Sequence, residues 1–167
     1  MNMNGDIQDI EEQGSVNDQF LTFQIADEIY GVDILKVQEI KGWEPVRKIP
    51  NTPEFIKGIL NLRGSIVPII DLRKRFGMDT AEYTAVTVVI VLSVEVGNES
   101  HTMGIVADAV SDVLDVKPEA IKKTPNLGSK IDTRYIRGMV VGERMVMLLH
   151  ADKLLNPEEF ALIDRLT

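Results

Sequence analysis

Cysteine is absent from the 167 residues, which removes disulfides, thiolate metal sites and cysteine nucleophiles together. Histidine is nearly absent. Only His101 and His150 occur, and two imidazoles with no third ligand at metal spacing make a poor zinc site. His101 falls in the polar run Gly97-Asn-Glu-Ser-His101 and reads as part of a solvated turn. His150 closes an apolar segment and reads as a strand end or cap. No two glycines are separated by a single residue, so the dinucleotide-binding fingerprint is excluded, and there is no Gly-Lys-Ser or Gly-Lys-Thr phosphate loop. A Gly-x-Ser-x-Gly nucleophile elbow is missing too. No apolar run approaches the ~20 residues that a membrane-spanning helix needs; the longest, Val88 to Val96, is broken by Ser93 and Glu95. The N-terminus lacks a basic stretch followed by an apolar one, so no secretory signal is expected. Together these absences predict a protein without catalytic groups, cofactor or metal, housed in the cytoplasm.

Basic residues are also in deficit. Lys and Arg number 18 against 26 Asp and Glu, for a formal charge of −8. A nucleic-acid binder draws much of its affinity from cations laid along phosphates, and single-strand binders add aromatic stacking platforms. A negative chain with 5% aromatics fits neither, and its sign discourages docking on an anionic membrane. Part of the charge belongs to the leader: Asp6, Asp9, Glu11, Glu12 and Asp18 precede any Lys or Arg. Residues 1–18 are short of large apolar side chains and read as a disordered acidic tail.

What is present is β-like and repetitive. Phe20–Ile25 and Ile29–Asp33 flank a polar Asp27-Glu28 and read as a hairpin. Ile34, Val37 and Ile40 are spaced for either a turn of helix or a bulged strand. Ser65–Ile70 reads as a strand, with Pro68 placing it at an edge or a bulge. Asp71 caps a short helix closed by Gly77, and the cluster Arg73-Lys-Arg75 reads as its wetted face. Tyr30-Gly-Val32 matches Met103-Gly-Ile105 at an offset of 73, which also pairs Val37 with Val110, Glu39 with Asp112 and Ile40 with Val113. Phe55-Ile-Lys-Gly-Ile59 matches Tyr135-Ile-Arg-Gly-Met139, and Val67–Ile70 meets Val146–Leu149. Four matches in one order predict two similar β modules of about five strands each. Units of ~60 residues bury only about 60% of their surface and lack a comfortable core alone, so the modules should share one. Asn156-Pro157-Glu158-Glu159 then opens a terminal helix with a cap, a first-turn proline and acids at the positive end of the dipole.

The segments Tyr30–Ile40, Ile49–Gly58 and Ile59–Leu72, with Asn61-Leu-Arg-Gly64 the most specific part, resemble the CheW family. The second half agrees less densely, at Thr87–Leu92, Gly104–Leu114 and Tyr135–Gly138. The resemblance implies a mainly β fold of two five-stranded SH3-like barrels sharing an apolar core, with short helices and a C-terminal helix. It sets a first barrel at about 19–82, a second at about 83–150 and the helix at about 156–166. It implies a non-catalytic adaptor that couples chemoreceptors to the histidine kinase CheA. The kinase's regulatory domain would be bound mainly through the first barrel, and the cytoplasmic helical tip of the receptors in the groove between barrels. Such an adaptor joins membrane-associated arrays without inserting into the bilayer.

Carried over position by position, the resemblance marks Glu39 and Arg63 as the family's motif glutamate and arginine; their opposite charges suit either a pair across the groove entrance or separate contacts to a partner. Val37, Val110 and Val113 fall at positions of apolar contact, although the same valines would also suit a core. Ile40 and Trp43 lie beside them, and Trp43 fits either an exposed anchor or packing. Gly58, lacking Cβ, permits close approach of a partner or a tight backbone bend. Competing readings are a CheW-like scaffold of a non-flagellar chemosensory pathway, a related module of a larger protein such as CheA or CheV, and a β-barrel that binds nucleic acid. No kinase or receiver region accompanies the motifs, which favours the stand-alone adaptor.

Overall fold

The structure is a computed structural model that describes residues 17–79, 82–123 and 132–167; the leader up to residue 16 lies outside them. The chain runs through β1 (Asp18–Ile25), β2 (Glu28–Asp33), β3 (Val37–Gly42), β4 (Ile56–Leu62), β5 (Ser65–Asp71) and the short helix α1 (Leu72–Arg75). It repeats the strand pattern as β6 (Val88–Val96), β7 (Glu99–Ala107), β8 (Ala109–Val116), β9 (Ile136–Val141) and β10 (Met145–Leu149), and ends in α2 (Pro157–Leu166). Strand β1 therefore opens one residue before Gln19, with Asp18 held by Arg137 at 3.3 Å. No described helix is long and apolar enough to cross a membrane.

The two five-stranded sheets have the orders β8-β1-β2-β10-β9 and β3-β6-β7-β5-β4. This corrects the expected division at residue 82, because each sheet takes strands from both halves. The hairpin β1–β2 joins β8, β9 and β10, while β6–β7 joins β3, β4 and β5. The exchange is reciprocal down to register. Phe23 lies opposite Tyr30 and Leu92 opposite Met103, whereas Val110 meets Phe23 and Val37 meets Leu92. Parallel pairings close the pattern, β2 with β10 and β7 with β5. Phe23 and Leu92 hold equivalent places in the repeat, so sequence periodicity cannot tell which of the two a given third strand will choose. Pro68 sits inside an interior strand, one residue before the pairing of β5 with β7 begins at Ile69.

Each sheet curls until the segment that follows β3 or β8 reaches the opposite edge strand. Arg47 exchanges two backbone hydrogen bonds with Ile59, at 3.0 and 2.8 Å, and Lys122 does the same with Met139, at 2.9 and 2.8 Å. Closed barrels have an inside and an outside, and here both are apolar. Alternate residues of β6 divide cleanly: Val89 and Val91 fill one barrel, while Ile90, Leu92 and Val94 face the other barrel. On β10, Val146 and Leu148 fill the second barrel and Met147 and Leu149 turn to the shared core. Burial on both faces explains why Val88 to Leu92 is a continuous apolar run rather than an alternating one.

The shared core is finished by the C-terminal helix. Asn156 accepts from the Glu159 N–H and the Glu159 carboxylate accepts from the Asn156 N–H, both at 2.8 Å, a reciprocal cap. Phe160 and Ile163 point inward. The Glu159 carboxylate also takes two hydrogen bonds from Arg75, at 2.6 and 2.7 Å. That guanidinium lies over the rings of Phe55 and Tyr135, at 4.1 and 5.2 Å. Arg75 is only 10% exposed, and Arg73 pairs with Asp108, so the expected wetted face of α1 is instead two buried tethers. His101 is likewise not in a solvated turn: it lies in β7 with its ring stacked on Phe160 at 4.1 Å.

Gly58 shows how tightly a barrel closes. Its φ is +153° and a Cβ there would stand 2.3 Å from the Arg47 carbonyl oxygen, whereas a Cβ at Gly64 (φ +88°) would meet nothing within 4 Å. Gly58→Ala should therefore cost about 3 kcal/mol, and Gly64→Ala only the ~1 kcal/mol of backbone strain. Chemical denaturation of the two variants, compared with the parent, measures the difference.

Candidate functional site

The surface that the sequence marks is built by two bulges. Asp33 caps a 3-10 turn, Ile34–Lys36, by accepting the Leu35 N–H, and β3 starts immediately after it. In β3, Val37 pairs with Leu92, but the register slips before Glu39 pairs with Val91 and Ile40 with Ile90. The extra residue lets Val37 and Ile40, three apart, lie on one face of the strand. Their partners Leu92 and Ile90 belong to the shared core, so this face runs outward from that core. Strand β8 repeats the device, with Val110 opposite Phe23 and Val113 opposite Leu21. Here the Thr22 hydroxyl holds the bulge, bonding both the carbonyl and the N–H of Asp112 at 2.9 and 3.0 Å.

The two strands thus carry matching apolar ledges. Val37 and Val110 are partly buried against the shared core. Ile40 and Val113 stand clear of it, 44% and 47% exposed. Leu35, at 87%, adds an exposed apolar side chain at the start of β3. Sequence reasoning missed it, since a leucine in an apolar-spaced run gives no sign of which side its turn presents. A warning was available only in the Asp33 cap, which ends β2 and lifts the next residues off the sheet.

Glu39 and Arg63 come together as a pair. Arg63 and Gly64 form the two-residue turn between β4 and β5, with φ +50° and +88°, the mirror-type turn that suits a twisted hairpin. The Asn61 side chain accepts the Gly64 N–H at 2.9 Å. From this tip the guanidinium reaches the Glu39 carboxylate at 2.7 Å, with the arginine side chain 73% exposed. An exposed pair contributes about 0–1 kcal/mol, too little to explain its presence by stability.

Two sequence candidates do not belong to this surface. Gly58 is buried, and the neighbour it admits is Arg47 of its own chain. Trp43 packs against the interior cluster of its barrel, its ring 4.3 Å from that of Tyr83. The Tyr83 hydroxyl donates to buried Asp71 at 2.7 Å, and burial together with that carboxylate pushes it far above the ordinary tyrosine range. Asp71 also accepts the Arg73 N–H, so these groups lock α1 and β5 together. Among the described residues, no three His, Asp or Glu side chains are grouped to hold a metal ion.

Comparison with known proteins agrees with this geometry. The family profile described as CheW-like domain matches residues 19–159. The chain is 48% identical over 151 residues to a chemotaxis protein CheW of Klebsiella aerogenes, covering 90% of this chain and 89% of the relative. It is 37% identical over 142 residues to a probable chemotaxis protein CheW of Rhizobium etli, covering 84% and 89%. The crystal structure of a scaffolding CheW protein from Thermoanaerobacter tengcongensis superposes with a TM-score of 0.75 at 33% identity, over 85% of this chain and 90% of that one.

Two arginines set opposite expectations. Arg63→Ala should change stability by less than about 0.5 kcal/mol. Arg75→Ala, which leaves the mostly buried Glu159 carboxylate without its cation, should cost about 3 kcal/mol; thermal melting of both variants checks the contrast. The pH response is the second test. Burial, reinforced by Lys153 and Arg137, lowers the His150 pKa. The folded state therefore resists the proton that the unfolded chain accepts near its ordinary value of about 6.5, and stability falls as pH drops below that value. In His150→Gln, the melting temperature should decline less than the parent's between about pH 7 and pH 5.5.

Proposed function

The chain belongs to the CheW-like domain family, and from that premise we propose that it is a non-catalytic adaptor joining chemoreceptors to the histidine kinase CheA. The observation that carries the reading is the pair of half-exposed apolar ledges at matching register, Val37 with Ile40 and Val110 with Val113. Two apolar walls rising from one core form a seat for the apolar face of a helix, and the tip of a chemoreceptor is helical. Glu39 and Arg63 rim this seat and select a partner by charge more than they hold the fold. The regulatory domain of CheA is bound mainly through the first barrel. The adaptor works in the cytoplasm and reaches the membrane only through the receptors it binds.

The test uses purified protein with a receptor cytoplasmic fragment and CheA. Replacing both Ile40 and Val113 by Asp should weaken receptor binding at least tenfold, since each tenfold step needs only ~1.4 kcal/mol and central apolar contacts exceed that. CheA binding and the melting temperature should be kept. Arg63→Ala should weaken receptor coupling while the fold stays intact. Full receptor binding by the doubly substituted protein would remove the groove as the receptor seat.

A further inference from the structure

The internal repeat exposes one broken equivalence. Glu39 and Asp112 occupy the same place in their strands, each between two residues of an apolar ledge. Glu39 is met by Arg63 from the turn between β4 and β5. The corresponding turn, between β9 and β10, runs through Gly142, Glu143 and Arg144, and the repeat sets glycine and glutamate where the arginine would be. Among the described residues, no cation pairs with Asp112. One of its carboxylate oxygens accepts the Val113 N–H at 2.8 Å, and the residue is exposed. One ledge therefore has its charge neutralised from within, and among the described residues the other's is not.

We propose that Asp112 orients the partner helix, by accepting a Lys or Arg that the helix brings over the β8 wall. The inference rests on the groove being the helix seat. A groove built from two equivalent ledges offers a helix two directions of entry related by the pseudo-symmetry. Unequal charge on the walls makes those directions unequal. A cation on the helix is welcome beside Asp112, while at Glu39 it would compete with Arg63. Charges at the rim of an interface act chiefly on the association rate and its salt dependence, and the effect fades as the screening length shrinks toward ~3 Å at high salt.

The experiment follows receptor-fragment association by surface plasmon resonance at about 50 mM and about 1 M salt. Asp112→Lys should slow association about tenfold at low salt and less than about twofold at high salt, and Asp112→Asn should give a smaller change in the same sense. Glu143→Arg, which supplies Asp112 with a partner from its own chain, should slow association about threefold. Asp164→Lys on α2 makes the same change of net charge as Asp112→Lys and should leave the rate unchanged. Wild-type rates for Asp112→Lys, or equal slowing by Asp164→Lys, would overturn the proposal while the Ile40 and Val113 double variant still loses receptor binding. If that double variant also binds normally, the groove reading fails and the role of Asp112 fails with it.

Discussion

Everything in this molecule depends on each half giving its first hairpin to the other. Strands β1, β2, β6 and β7 are covered on both faces, by the inside of a barrel and by the opposite barrel. A half-chain left alone would lose a neighbouring strand beside four of its five strands and leave an apolar face open to water. Burial of a single large apolar side chain stabilises by roughly 1.5–3 kcal/mol, and several such residues from each exchanged hairpin sit in the shared core. The cooperativity of the fold follows from this arrangement: neither barrel can open without unmaking the other.

The same exchange positions the two apolar ledges. Strands β3 and β8 are the ones that carry the chain from one sheet to the other, so they run beside the shared core and then leave it. In a regular strand, residues three apart such as Val37 and Ile40, or Val110 and Val113, would point to opposite faces. The bulges keep two residues on one face across the departure, turning the edge of a core into a graded ledge, buried at Val37 and Val110 and exposed at Ile40 and Val113. Stability and the proposed recognition draw on one continuous apolar surface, divided by how far a strand has travelled from the centre.

Much of this was legible in the residues. The hairpin around Asp27, the Asp71 and Asn156 caps, the terminal helix and the repeat itself each have short-range causes that a sequence displays. Glu39 and Arg63 were marked by family resemblance, and their opposite charges left pairing as one of two readings, the one the geometry shows. What escaped reading was long-range. Nothing local distinguishes Phe23 from Leu92 as a partner for Val37, so the exchange was hidden and the barrels were divided at the wrong place. Arg75 looked like any surface cation because its partner, Glu159, is 84 residues away. Trp43 and Gly58 carried a suggestive chemistry whose use, filling a barrel mouth and closing it, depends on Tyr83 and Arg47.

A duplicated architecture poses a problem of redundancy for any element that occurs once. The C-terminal helix has two related places to lie, and apolar burial alone would not prefer one strongly. Arg75 settles it: a single guanidinium clasped by Phe55 and Tyr135, the matching aromatics of the two repeats, offers its donors in one direction only. Glu159 answers from that side. A near-twofold body thereby acquires a front and a back, which an interchangeable pair of barrels would lack.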